Sequence, residues 1–137
     1  MRKMLLSINP QHVEKILNGT KQFEFRKARG NRSVDSIVIY STAPQMRIVA
    51  EVGIDEIIVG NILDVWHRTK KYAGISYRFY RSYYKGKTTA VAYKLGAVTQ
   101  FREPLTLSDI GMTHPPQSFS YLENMPEVEV IGYGNQL

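Results

Sequence analysis

Residues 4–26 predict a strand, a helix and a second strand in close succession, and this run constrains the fold more than any other part of the chain. Met4–Ile8 is a short apolar segment that favours a strand. Asn9 is a typical N-cap residue, and Pro10 is suited to the first position of a helix. After this helix, Gln22–Arg26 alternates between polar and aromatic residues, which is typical of a strand with one buried face. The run therefore predicts a fold that mixes strands with helices.

The rest of the chain continues this mixture. Further strands are predicted over Ser36–Tyr40, Ile48–Val59, Thr89–Val98 and Glu127–Ile131, and two helices run from the caps Asn61 and Ser76 to about Lys71 and Tyr84. We expect a bend near Gly53 and a loop over residues 104–117. Because no linker, repeat or low-complexity segment interrupts this order, we predict one α+β domain over residues 1–137, with a mostly antiparallel sheet.

Composition excludes several classes of protein. The 137 residues include no cysteine, which rules out disulfide scaffolds, Fe–S clusters, thiolate zinc sites and a cysteine nucleophile. His12, His67 and His114 are scattered along the chain at no metal-binding spacing. No apolar run approaches the roughly 20 residues of a membrane span. We therefore expect a cytoplasmic protein that has no metal, no cofactor and no membrane contact.

The net charge of +6 is divided between blocks of opposite sign. Residues 1–32 carry a net +6 and residues 62–94 a net +7, whereas residues 33–61 and 95–137 are acidic. The second basic block also holds eight of the fifteen aromatic residues. Basic groups interleaved with aromatic rings suit single-stranded nucleic acid, but aromatic residues at helical spacing are often core residues. Both interpretations remain open at this level.

The sharpest candidate site follows the first helix. Lys21, Glu24 and Arg26 stand at a turn and on the polar face of the alternating strand. Arg26 suits bidentate contact with a phosphate, Lys21 supplies a point charge, and Glu24 can orient Arg26 or accept a hydrogen bond from a base. A partly desolvated Lys21 beside Arg26 should have a lowered pKa, which suits a base or a nucleophile. The alternative is an ion pair on a solvated sheet face.

Two further segments carry groups that suit ligand binding. The turn at 40–44 places Tyr40, Ser41 and Thr42 at the end of a strand, where the hydroxyl groups either bind phosphate or cap the turn. Residues 115–121 form an extended segment with exposed amide and hydroxyl groups, or a rigid loop that seals one end of a barrel with its aromatic rings.

The sequence resembles the ASCH domain, a PUA-like family. The pattern G-x-K-x-x-E-x-R of that family is present as Gly19, Lys21, Glu24 and Arg26. The resemblance continues through the segments YSTAP at 40–44, Trp66, GIS at 74–76, YYKG at 83–86 and PPQSF at 115–119. It covers essentially the whole chain and is strongest to small stand-alone prokaryotic or phage members, which are often described as predicted transcriptional regulators.

The resemblance implies a β-barrel-like sheet with flanking helices and a basic cleft that binds RNA or a nucleotide. The residues expected to bind nucleic acid are Lys21, Glu24, Arg26, Lys27, Tyr40, Ser41, Thr42, Gln117 and Ser118. A regulatory RNA-binding module is the first expectation, with no cofactor.

The alternative that the resemblance implies is a hydrolase that acts on RNA or a nucleoside, with Lys21 and Glu24 as catalytic residues. Some small relatives are described as amidohydrolases of N4-acetylcytidine, whose site pairs a lysine with a threonine and a separate glutamate. This chain has Lys21 at the lysine position but Glu24 at the threonine position, and residues 62–87 contain no glutamate.

Overall fold

The structure is a computed structural model that describes residues 2–30 and 32–133. Ten main elements follow one another along these residues: β1 (Lys3–Ile8), α1 (Pro10–Leu17), β2 (Phe23–Arg26), β3 (Ser36–Ser41), β4 (Arg47–Asn61), α2 (Ile62–Thr69), α3 (Tyr77–Tyr83), β5 (Thr89–Leu105), β6 (Phe119–Leu122) and β7 (Val130–Tyr133). Short 3₁₀ turns occur at Lys70–Tyr72 and Ser108–Ile110. None of the helices in the described ranges has the length and apolar composition of a membrane span.

The strands form one seven-stranded sheet in the order β2-β5-β4-β3-β1-β6, with β7 paired to β5. Only the β1–β3 pair is parallel among the described strands, which confirms the predicted α+β class and its mostly antiparallel sheet.

The expectation of a barrel needs correction, because β2 and β6 lie at opposite ends of the sheet order and do not pair in the described part of the chain. The loop after β2 reaches β6 instead, where the Arg32 amide donates to the Tyr121 hydroxyl at 3.2 Å. Contacts between this loop and the Tyr121 side chain therefore stand where a closed barrel would have a ladder of backbone hydrogen bonds.

Local capping determines where the helices begin. Asn9 Oδ1 accepts from the Gln11 amide at 3.0 Å at the start of α1, and Pro10 occupies the first turn. At the start of α2, Asn61 accepts from the Asp64 amide at 2.9 Å. The helix predicted to reach Lys71 ends at Thr69 and continues as a 3₁₀ turn. All three predicted helices are thus present: each begins after its predicted cap, and α2 and α3 end two residues and one residue earlier than predicted.

The sheet is buried on both faces around β1 and β3. Alternate residues of these strands, such as Leu6 and Ile39, pack under α1 with Val13 and Ile16. The intervening residues pack with the C-terminal segment in a second cluster, which contains Leu5, Val38, Tyr40, Ile48, Phe101 and Leu122. A third cluster joins α2 and α3 to β2 and β5, and its members include Phe23, Phe25, Val65, Tyr80 and Tyr84. The cavity described below lies where the first and third clusters meet.

Candidate functional site

A cavity of about 270 Å³ opens between the end of β1, α1, β2 and α3. Its lining combines two basic side chains, one carboxylate, an imidazole and several aromatic rings. The residues that line it are Ser7, Ile8, Asn9, Gln11, His12, Lys21, Glu24, Phe25, Arg26, Ile75, Phe79 and Tyr83. The structure therefore brings three of the predicted site residues, Lys21, Glu24 and Arg26, into one cavity.

Lys21 is a buried cation, with only 3% of its surface exposed. Its Nζ donates to the Ala73 carbonyl at 2.8 Å and lies 4.9 Å from the centre of the Phe25 ring. Burial lowers the pKa of Lys21 to about 8, against the opposing attraction of Glu24. An ammonium group with this pKa titrates close to neutral pH. The sequence predicted a lowered pKa of this kind for a desolvated lysine.

Glu24 and Arg26 form a nearly buried ion pair along β2. The two residues are separated by one position in the strand, so their side chains share a face. Glu24 Oε2 accepts from Arg26 Nε at 3.1 Å and lies 3.0 Å from Nη2. Arg26 Nη2 also donates to the Ser7 carbonyl at 2.9 Å. These contacts fix the guanidinium at the cavity wall, and they also exclude a solvated surface pair.

His12 belongs to the cavity, and the sequence reasoning missed this role. The ring lies edge-on to Phe79, with ring centres 5.4 Å apart. Burial and the charge of Lys21 lower the pKa of His12 below 6.5, so the imidazole is neutral at pH 7. Its Nδ1 atom is buried and has no hydrogen-bond partner among the described residues. Its contact with α3 depends on tertiary packing, for which residues 9–19 give no signal.

Two aromatic residues of α3 complete the cavity. Phe79 and Tyr83 are four residues apart, a spacing that places both on one helix face. Phe79 is 45% exposed. The spacing was visible in the sequence within the aromatic-rich basic block, and it was the signal that could have assigned both residues to a site. Tyr80 and Tyr84, on the other side of α3, are core residues.

The remaining predicted site residues lie outside this cavity. Lys27 is exposed at its edge, with Nζ 4.9 Å from the centre of the Tyr83 ring. Tyr40 is packed in the cluster under the C-terminal segment, and the buried Ser41 hydroxyl has no partner among the described residues. The half-buried Thr42 donates its amide to the Ile8 carbonyl at 3.0 Å.

The loop at 115–118 approaches the end of β1. Ser7 Oγ donates to the Pro116 carbonyl at 2.9 Å, and Ser7 is itself a cavity residue. Gln117 and Ser118 follow this contact and are exposed, but they do not line the cavity. The extended segment is in part a strand, since β6 pairs with β1.

The two basic blocks meet at this site. The Lys15 ammonium donates to the Gly74 carbonyl at 3.2 Å, and the Gln22 amide donates to the Tyr72 carbonyl at 2.8 Å. Strand β2 from the first block pairs with the start of β5, which ends the second. Within residues 2–30 and 32–133, no group of three histidine or acidic residues is placed to hold a metal ion.

The amino-acid sequence is similar to those of known proteins. A sequence profile described as the ASCH domain matches residues 6–101. An ASCH domain-containing ribonuclease from Zymomonas mobilis is 25% identical over 141 residues, which cover 99% of this chain and 95% of that protein. The large ribosomal subunit protein uL22 of Ureaplasma parvum is 28% identical over 121 residues, and the chain spans 39% of its length.

Solved structures show the same likeness. A crystal structure of a Tyr-to-Phe variant of the ASCH protein from Zymomonas mobilis has a TM-score of 0.81 and 26% sequence identity. The match covers 88% of this chain and 90% of that one. A crystal structure of ASCH from the same organism has a TM-score of 0.78 at the same identity, and the match covers 88% of this chain and 87% of that one.

Proposed function

Because the chain belongs to the ASCH domain family, we propose that it binds RNA by taking one nucleotide of a single strand into the cavity between α1, β2 and α3. The observation that carries the proposal is that two rigidly held cations, Lys21 and Arg26, share this cavity with the exposed ring of Phe79. Proteins recognise single-stranded RNA by stacking its bases on aromatic rings and by hydrogen bonds to base edges and phosphates.

The size and charge of the cavity support a single nucleotide as its occupant. Its volume of about 270 Å³ is close to the lower end of small-molecule sites, which begin at roughly 300 Å³. With His12 neutral, the charged side chains that line it are Lys21, Arg26 and Glu24, a net charge of +1. Such a lining favours an anion with apolar faces, which describes a nucleotide.

The wider context of the proposal is RNA in the cytoplasm. The relative from Zymomonas mobilis is named a ribonuclease, and this chain matches it along 95% of its length. The lack of cysteine suits a reducing compartment. A domain of this kind can regulate an RNA by occupying it, and this regulatory role is part of the proposal.

Fluorescence anisotropy with a labelled single-stranded RNA of eight nucleotides tests the proposal. We expect Arg26→Ala and Lys21→Met to weaken binding at least tenfold. Arg102→Ala is the matched control, because Arg102 is exposed and contacts Glu129 away from the cavity. Circular dichroism checks that each variant is folded. Equal affinities for all three variants, or no binding by the unaltered protein at low salt, would overturn the proposal.

A second candidate function is metal-independent cleavage of the bound RNA. The observation that favours it is the pairing, in one cavity, of a neutral imidazole at His12 with an ammonium of pKa about 8 at Lys21. In this reaction the 2′-hydroxyl attacks the adjacent phosphorus while a base takes its proton, and an acid protonates the departing 5′ oxygen. In this scheme His12 accepts the first proton and Lys21 supplies the second. Glu24 holds Arg26 and has no step of its own in this scheme.

Incubation of labelled RNA with the protein in a chelating buffer separates cleavage from binding. We expect fragments that end in a 2′,3′-cyclic phosphate, and we expect His12→Ala and Lys21→Met to abolish them. An RNA with a single 2′-deoxy residue at the cleavage position should remain intact. If the unaltered protein produces no fragments, cleavage is wrong and binding remains.

Deacetylation of N4-acetylcytidine is the less favoured hydrolytic alternative. Glu24 is the one carboxylate among the described residues that line the cavity, and it is paired with Arg26. The separate glutamate that the resemblance associates with that activity has no counterpart there. We therefore expect no release of acetate when the protein is incubated with acetylated cytidine.

A further inference from the structure

On the opposite side of α3 from the cavity lies a second concave surface, and it is basic. It encloses about 380 Å³, and the exposed side chains that line it are those of Leu63, Tyr77, Arg81, Lys85 and Lys87. Among the described residues that line it there is no aspartate or glutamate. We refer to these residues as the α3 groove. We propose that a single RNA strand crosses α3 and places in this groove a nucleotide that neighbours the one in the cavity. This inference rests on the proposed RNA binding.

The helix is a shared wall between the two sites. Phe79 and Tyr83 face the cavity, whereas Tyr77 and Arg81, also four residues apart, face the groove. An α-helix with its side chains is roughly 10–12 Å across, so one mononucleotide does not fill both sites. A strand that occupies both must pass over the exposed surface of α3, where Arg78 is exposed.

The charges of the groove are available to phosphate groups. Among the described residues, Arg81, Lys85 and Lys87 take part in no ion pair. Three cations on one concave surface repel one another, and the phosphates of a nucleic acid strand relieve that repulsion. Each phosphate neutralised also releases counterions, which strengthens binding at low salt.

The groove also offers a surface on which a base can stack. Tyr77 is 39% exposed and Leu63 is 51% exposed. The Tyr77 ring is supported from behind by Trp66, with ring centres 5.2 Å apart, and its hydroxyl accepts from Arg81 Nη1 at 3.2 Å. A fixed aromatic ring beside an arginine is the platform that sequence-tolerant single-strand binding requires. An acidic peptide would use the cations but would gain little from the ring, so the geometry favours RNA.

The test compares ligands of increasing length. The unaltered protein, the double variant Arg81→Ala/Lys87→Ala and the control Arg47→Ala/Arg102→Ala are titrated with uridine 5′-monophosphate and with oligouridylates of two, four and eight nucleotides. We expect the affinity of the unaltered protein to rise with length. The double variant should bind the monophosphate within twofold of the unaltered protein but the octamer at least tenfold more weakly. The control should match the unaltered protein for every ligand.

The outcomes distinguish this inference from the proposed function. If the octamer binds the double variant as tightly as it binds the unaltered protein, the groove is not part of the RNA path and the inference is wrong. If neither the monophosphate nor any of the oligouridylates binds the unaltered protein, the proposed function itself is wrong. Poly-glutamate at the same charge concentration is tested as a competitor of the labelled octamer. If it competes as strongly as unlabelled octamer, and if this competition is lost in the double variant, the groove binds an acidic protein instead. Tyr77→Ala, which keeps all three cations, should weaken the octamer alone.

Discussion

Lys21 makes the stability of the fold depend on pH above neutrality. Its pKa is about 8 in the folded chain, against 10.5 for an ordinary lysine. Between these two values the unfolded chain binds more protons, so the free energy of unfolding rises with pH. Below pH 8 both states are protonated and this dependence disappears. The full difference corresponds to roughly 3 kcal/mol, from about 1.4 kcal/mol for each pH unit.

We predict that Lys21→Met is more stable than the unaltered protein at pH 7 and lacks the rise between pH 8 and 9.5. Urea unfolding at half-unit intervals measures both effects. The series stops at pH 9.5 because burial raises the pKa of Tyr80 to about 12, so tyrosine ionisation in the unfolded chain lowers stability at higher pH. Lys27→Met is the control, since Lys27 is exposed. An equal rise in both variants would contradict the assignment to Lys21.

Glu24 holds Arg26 and also supports the charge on Lys21. Its attraction raises the pKa of Lys21 against the effect of burial. We predict that Glu24→Gln lowers the pKa of Lys21 further, so that the rise in the free energy of unfolding with pH begins at a lower pH. The variant also loses a charge-assisted hydrogen bond near the cavity, which should cost about 1–3 kcal/mol of stability. Urea unfolding at several pH values measures both changes. If the rise in the free energy of unfolding still begins near pH 8, Glu24 does not act on Lys21.

At the scale of elements, Gly74 holds the connection between α2 and α3 close to Lys21. Its φ is +70°, and a Cβ there would lie 2.5 Å from Lys21 Cβ and 2.6 Å from Lys21 Cγ. We predict that Gly74→Ala destabilises the protein by about 2–4 kcal/mol, because left-handed strain and a steric clash combine. It should also raise the pH at which Lys21 titrates, because displacement of the chain exposes the ammonium to water.

The matched control is Gly111→Ala. Gly111 has φ +76°, but a Cβ there meets nothing within 4 Å. Only the strain of about 1–2 kcal/mol should remain, and RNA binding should be unaffected. Thermal unfolding and anisotropy measure the two effects. If both alanine variants lose the same stability and the same affinity, the contact between Gly74 and Lys21 has no role.

The elements that were predictable are those whose ends are specified locally. Asn9 and Ser76 cap their own helices through side-chain oxygens, so short stretches of sequence sufficed to place α1 and α3. Strand β5 was predicted to end at Val98 but continues to Leu105, because its second half pairs with β4 and β7 and buries Phe101. Such pairing is non-local, and no pattern within residues 99–105 encodes it. For the same reason, the sequence did not predict strand β6.

At the scale of the whole molecule, the charge pattern acquires a spatial meaning through one strand pair. In the sequence, the 29 residues of segment 33–61, with a net charge of −3, separate the two basic blocks, and nothing local indicates whether the blocks meet. The antiparallel pairing of β2 with β5 brings them together beside the cavity. The G-x-K-x-x-E-x-R spacing predicted the cations of the site, whereas its aromatic wall depended on the packing of α3 against α1. Charge therefore indicated where the two basic blocks converge only after the topology was known.

The salt dependence of RNA binding tests this convergence directly. Each phosphate contacted by a cation on a single strand contributes about −0.7 to the slope of log affinity against log salt concentration. Lys27 belongs to the first block and lies over the Tyr83 ring of the second, at the edge of the cavity. We predict that Lys27→Ala reduces the slope by about 0.7, the value for one phosphate contact. Arg47→Ala, an exposed cation from the acidic segment between the blocks, should leave the slope unchanged. Equal slopes for the two variants would mean that RNA senses the net charge of the protein, and not the surface where the blocks meet.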